Sequence, residues 1–300
     1  MDFTYTNLSR TTMFVAGMVA LGAALAAAQG AQAWRERTVV TTASGEWTGP
    51  RLADGQPDVQ GHWSNTIGNH NNFTHPQGRD GGAPSRVSDP PDGQVPYQPW
   101  ARAKQQEFDA HLENPIRPEY VEPLARCAPA GPTKSFMWHG YEIRQYSGYV
   151  LFLFDSGTRI IHLDGKPHLA ENVKLWNGDS RGHWEGNTLV VDVTNNNSKS
   201  RFSRSGEFVS EHATITERFI FDSARERYTY QAVYTDPTVL TRPFTVTIPN
   251  RRITDKTPQD GWNNITFPAT HAGTEPIIEA YERTCVENNG EHGGVAVESK

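Results

Sequence analysis

Two cysteines in 300 residues, with no CxxC between them, leave no basis for a thiolate metal site or a redox motif. The chain also lacks an HExxH, a paired HxH, a Gly-rich phosphate loop and a GxSxG elbow. These absences remove the sequence signatures of zinc proteases, nucleotide binders and one large class of serine hydrolases, and no cofactor motif is found. Past the first 33 residues no stretch is apolar enough to span a membrane. Cationic excess is missing too: 28 Lys and Arg face 34 Asp and Glu, a net charge of −6. That balance argues against a nucleic-acid or anionic-membrane partner. Helix signals are sparse, while 26 glycines, 20 prolines and 10% aromatics point to an all-β chain with many turns.

The one long apolar run is at the start. Arg10, then Met13–Ala28, then Ala31-Gln32-Ala33 supply the basic residue, apolar core and A-x-A site of a secretory signal peptide. A run of 16 residues (13 to 28) is short for a span, which needs about 20, so cleavage after Ala33 is expected. The mature chain then has 267 residues (300 − 33), and its destination is the periplasm or the exterior. In such a compartment Cys127 and Cys285 are expected to form a disulfide, worth about 4–5 kcal/mol in the chain-entropy model.

Strand signals are densest from Gly140 to Thr194. Tyr149–Phe154 is a short apolar run between turn formers and reads as a strand buried on both faces. Tyr141–Gln145, Thr158–Leu163, Ser180–Trp184, Thr188–Val193, Ala213–Phe221, Arg227–Thr235, Thr241–Pro249 and Ile277–Cys285 complete about nine strands in mostly hairpin order. Meanders of this size avoid open edges by closing or stacking. The expectation is an antiparallel up-and-down barrel of about 8–10 strands over 136–288, followed by a disordered tail, 289–300. Residues 34–135 read as a Pro/Gly-rich covering arm with a first strand and one helix, Pro99–Leu112. Within that arm, Asn65–Pro91 reads as irregular loop.

Strand alternation then selects candidates for chemistry. Glu217 shares a face with Ile215, Phe219 and Phe221, so it is a carboxylate among apolar residues and a candidate general acid or base. The alternative is a structural pair with an arginine such as Arg159. Arg159 shares a face with Ile161, and His162 shares one with Ile160; only one set can face a cavity. His162 and Tyr141 join Glu217 and Arg159 as the candidate acid–base group, or His162 merely ends its strand beside Asp164. Trp176, His183, His139 and Phe152 are candidates to line a substrate site, with core packing as the plainer role for the aromatics. A metal held by scattered histidines with Asp164 or Asp179 is a weaker alternative.

Asp58-Val59-Gln60-Gly61-His62-Trp63 resembles the opening motif of lipocalin (calycin) barrels, although Gly182-His183-Trp184 repeats the triplet. In those barrels the Trp closes the bottom beneath an Arg from the last strand, a part that Arg283 would take. A second resemblance is broader. RCAPAGP (126–132), RIIHLDGKPH (159–168), WNGDSRGHWEGNTLVVDVT (176–194), TERF (216–219), TRPFTV (241–246) and CVENN (285–289) resemble a widespread family of secreted bacterial proteins. That resemblance implies membership and export; it carries no activity. From the residues, the expected function is cofactor-independent acid–base chemistry, of isomerase or lyase type, on a small apolar or aromatic compound in the barrel. The competing expectations are non-catalytic binding of such a compound and a filled structural domain.

Overall fold

The computed structural model describes residues 42–65, 74, 85–112, 114–123, 127–137, 140–154, 157–202 and 206–253. The expected signal segment, the expected strand Ile277–Cys285 with Arg283, residue His139 and the expected C-terminal tail lie outside them. Ten strands follow in order. They are β1 (Gly61–Asn65), β2 (Val87–Asp89), β3 (Tyr141–Tyr146), β4 (Tyr149–Phe154) and β5 (Gly157–His162). Then come β6 (Asp179–Glu185), β7 (Thr188–Thr194), β8 (Thr214–Phe221), β9 (Arg227–Thr235) and β10 (Phe244–Ile253). Among the described residues one α-helix, α1 (Pro99–Ala110), precedes β3 and begins with proline at its first turn, where no amide donor is needed. It ends two residues before the expected Leu112.

Nine of the strands close into a barrel. Consecutive strands pair from β3 to β10, and β1 fills the remaining place between β10 and β3. The expected all-β barrel is therefore the fold, and a strand from the arm is part of its wall. β2 lies on the outer side, paired with β10, within a stretch expected to be irregular. Its three residues carry too short an alternation to register as a strand in the sequence.

Nine is an odd number, and that has a consequence for the wall. Strands that alternate in direction cannot close a ring of odd count, so at least one neighbouring pair must run parallel. That pair is β5–β6, joined at a single register point, His162 opposite Arg181. Side chains tie the strands beyond it. Arg159 Nε and Nη2 donate to Ser180 Oγ at 3.3 and 3.0 Å, and Asn177 Nδ2 reaches the Thr158 carbonyl at 3.5 Å. Gly182 permits the approach, since a Cβ there would sit 2.8 Å from Ile161 Cγ2.

The expectation that Tyr149–Phe154 is buried on both faces needs correction. Val150 and Phe152 are buried and point inward, whereas Tyr149, Leu151 and Leu153 are half-buried on the outer face. The described part of the arm covers a different side. Residues 42–48 run along the β6–β9 wall, with Thr42 N–H on Gln231 Oε1 (2.7 Å) and Gly45 N–H on Asn187 Oδ1 (2.7 Å).

One end of the barrel is closed by residues 59–63. Trp63 is fully buried, donates Nε1–H to the Val59 carbonyl at 3.1 Å, and meets Phe221 and Tyr228 edge-on. The Arg252 guanidinium lies 5.7 Å over its ring and donates to the Gln60 carbonyl at 2.7 Å. Gly61 holds φ at +134°, which favours glycine, and a Cβ there would lie 2.5 Å from that guanidinium and push it aside. An arginine thus covers the tryptophan, but it comes from β10.

Residues 127–137 reach into the barrel from another side. Their last turn, the 3-10 segment Lys134–Met137, is wholly buried. The Phe136 ring packs edge-on against Tyr141, Phe152, Phe154 and Phe219 at 5.1–5.4 Å between centroids, and lies 4.6 Å from Tyr230. Interior residues of β3, β4, β8 and β9 thereby share one aromatic layer, with this segment at its centre.

Candidate functional site

Alternation in β8 turns Glu217 inward, as the sequence indicates, and its exposure is 0%. β5 turns Arg159 inward from across the barrel, 2% exposed. The two meet as a bidentate pair: Nη1 donates to Oε1 at 2.9 Å and Nη2 donates to Oε2. A charged group buried here is tolerable because each charge supplies the other's solvation. Burial alone would lower the Arg159 pKa; the Glu217 charge and hydrogen bonds more than reverse this and raise it above the ordinary value.

A line of hydroxyls continues from the carboxylate. Tyr230 donates to Glu217 Oε1 at 2.6 Å. Its oxygen lies 2.8 Å from Thr133 Oγ1, which also bonds the Tyr234 hydroxyl. Each hydroxyl carries one proton, so the directions are fixed. Tyr230 gives its proton to Glu217, Thr133 therefore gives its own to Tyr230, and Tyr234 gives its own to Thr133. Burial, reinforced by the Glu217 charge, pushes the Tyr230 pKa well up; burial also raises that of Tyr234. Both remain neutral donors across the physiological range.

Tyr141 belongs to a second interior cluster. It donates to Asn250 Oδ1 at 2.9 Å and so accepts from the Tyr228 hydroxyl. Burial, then the neighbouring Tyr228, lifts its pKa well above the usual value. Phe152 stands between the clusters, opposite Arg159 in register and beside the Phe136 ring.

The remaining candidates do not converge on this interior. His162 is on the outer face with Ile160, because Arg159 and Ile161 take the inner one. His183 is also outward, with its side chain 60% exposed and Nε2 3.2 Å from Glu185 Oε1. Trp176 is half-buried in the crossover between β5 and β6, next to Asn177, whose buried Oδ1 makes no hydrogen bond among the described residues. Sequence reasoning did not single out Thr133 or Ser180. A threonine beside a turn and a serine opening an expected strand carry no pattern that marks them as partners of a buried charge or hydroxyl. Among the described residues, no three of His, Cys, Asp and Glu gather as a ligand set for a metal.

Outside the barrel, Asp179 fastens the β5–β6 crossover. Its Oδ2 accepts from Leu169 N–H (3.0 Å), His168 Nδ1 (2.9 Å) and Arg181 Nε (3.1 Å). Burial favours the neutral acid, but these hydrogen bonds and the Arg181 charge outweigh it, so the pKa lies below the ordinary carboxylate range. A depressed carboxyl contributes stability above its unfolded pKa and loses it as pH falls through the folded value. Asp179→Asn is therefore expected to be less stable than the parent at pH 7 and to lose less on acidification. Urea midpoints at pH 7 and pH 3 measure this; equal losses in both proteins would refute it.

No family model, curated protein or solved structure matches the chain.

Proposed function

We propose that the barrel receives a small, mostly apolar or aromatic molecule and holds it without chemical change. One observation carries the choice: the Glu217 carboxylate is committed to Arg159 on both oxygens and to Tyr230 on one of them. A carboxylate engaged in this way has poor access to a substrate proton, and the expected partner His162 is on the other side of the wall. The aromatic lining suits a flat ring, and the Trp63–Arg252 closure makes that end a floor.

The test is incubation of the pure protein with a panel of small aromatic compounds, followed by recovery and mass analysis. Bound compound returned unchanged is the expected result. Stoichiometric or catalytic product would replace this reading with the second one, an isomerase or lyase. That alternative draws its support from the ordered Tyr234–Thr133–Tyr230–Glu217 relay, which is a path for a proton.

Export belongs to the same proposal. The secreted chain is expected to start at Trp34 and, on digestion without reductant, to yield a peptide linking Cys127 to Cys285. An uncleaved N-terminus in the exported fraction, or two unlinked cysteine peptides, would contradict it.

A further inference from the structure

The aromatic layer of the barrel is occupied by the chain itself. Phe136 presents a phenyl ring to Phe152, Phe219 and Tyr230, and Thr133, three residues earlier, presents one hydroxyl to Tyr230 and Tyr234. We infer that Thr133–Met137 is a displaceable internal ligand, and that the molecule taking its place combines a phenyl ring with an alcohol or phenol hydroxyl. The inference rests on the proposal that the barrel is a binding site, and it adds the ligand class and the route.

The segment is suited to leave. It pairs with no strand, so its departure breaks no ladder of the wall. Its ties are local or made by side chains. Ser135 Oγ donates to the carbonyl of Gly131, two residues before the segment, at 3.0 Å, Asn65 Nδ2 donates to the Phe136 carbonyl at 3.3 Å, and Lys134 Nζ donates to Glu122 Oε1. The segment's backbone can open without unzipping the sheet, and the cost is then the burial of Phe136 and Met137, which an incoming ring must match.

The hydrogen bonding defines what must replace it. With Thr133 withdrawn, Tyr230 still donates to Glu217 and keeps an oxygen that needs a donor. Tyr234 keeps a proton that needs an acceptor. A single hydroxyl meets both needs, accepting from Tyr234 and donating to Tyr230. A hydrocarbon of the same shape meets neither and strands two buried polar groups, which is worth about a tenfold or greater loss in affinity.

The full mature chain can be tested with 2-phenylethanol and ethylbenzene, following the thermal midpoint and amide hydrogen exchange. 2-Phenylethanol is expected to bind, and to speed exchange at the Thr133–Met137 amides while slowing it in β8 and β9. Ethylbenzene is expected to bind at least about tenfold more weakly. Phe136→Leu, which weakens the internal competitor with a small volume change, is expected to bind 2-phenylethanol about tenfold more tightly than the parent. Equal affinity for the two probes overturns the inference. So does binding of 2-phenylethanol with the Thr133–Met137 amides as protected as in the free protein, and that outcome leaves the binding function standing. Absence of binding by both probes and by anilinonaphthalene sulfonate, to parent and variant alike, overturns the inference and the binding function together.

Discussion

Replacement of Arg159 by Met is expected to destabilise the protein by about 3–5 kcal/mol, the usual cost of breaking a buried ion pair from one side. Glu217 is 0% exposed, so bulk solvent does not reach its carboxylate to replace the guanidinium. The variant also loses both bonds to Ser180 and with them a tie across the β5–β6 seam, where the backbone pairs at one point. Urea unfolding should show a lower midpoint with little change in slope. The double variant Arg159→Met/Glu217→Leu separates the two contributions. Removing both charges should restore most of the loss, because an apolar pair of similar volume avoids desolvation. Recovery should stop short by about 1–2 kcal/mol, since one proton of the Tyr230–Thr133–Tyr234 hydroxyl line then has no acceptor. A single variant that loses under about 1 kcal/mol would show that the pair does not hold the wall together.

The strands of this barrel were legible because their cause is local. Alternation in Thr214–Phe221 follows from one wet and one dry face, and the structure keeps both; in Arg227–Thr235 the inner tyrosines are dry as the sequence implies, while the outer face is half-buried, with Gln231 buried. The same alternation placed Glu217 indoors, but in β5 it left open whether Arg159 or His162 faces the interior, and the structure turns Arg159 in. It could not decide between acid–base work and mutual pairing, because that depends on the distance between two strands 58 residues apart. Closure was less legible still. The odd strand count and the parallel seam come from β1 taking a place in the wall, and no residue of β5 or β6 announces it. Phe136 illustrates the other limit. Between a Pro-rich stretch and the first strong strand, with Met137 and Trp138 following it in sequence, it had no periodicity to be read from, yet it lies at the centre of the interior layer.

Trp63→Ala is expected to cost about 3–5 kcal/mol, on the scale of a buried tryptophan truncated in a packed core. The Gly-x-Trp triplet alone could not justify that figure, since Gly182-His183-Trp184 has the same letters and a different role. Trp184 is half-buried and donates to Gln56 Oε1 at 3.3 Å, while Trp63 is sealed by Phe221, Tyr228 and the Arg252 guanidinium. The two tryptophans therefore form an internal control. Trp184→Ala should lose clearly less than Trp63→Ala under the same conditions. Trp63→Phe should lie between, keeping most ring contacts and giving up the Nε1 bond to Val59, worth about 1–2 kcal/mol. Gly61→Ala should destabilise as well, although it adds only a methyl group, because its Cβ would displace the guanidinium from the ring. Urea midpoints for the four variants rank them directly. Losses at Trp63 no larger than those at Trp184 would mean that the arginine-covered tryptophan is not what closes this end of the barrel.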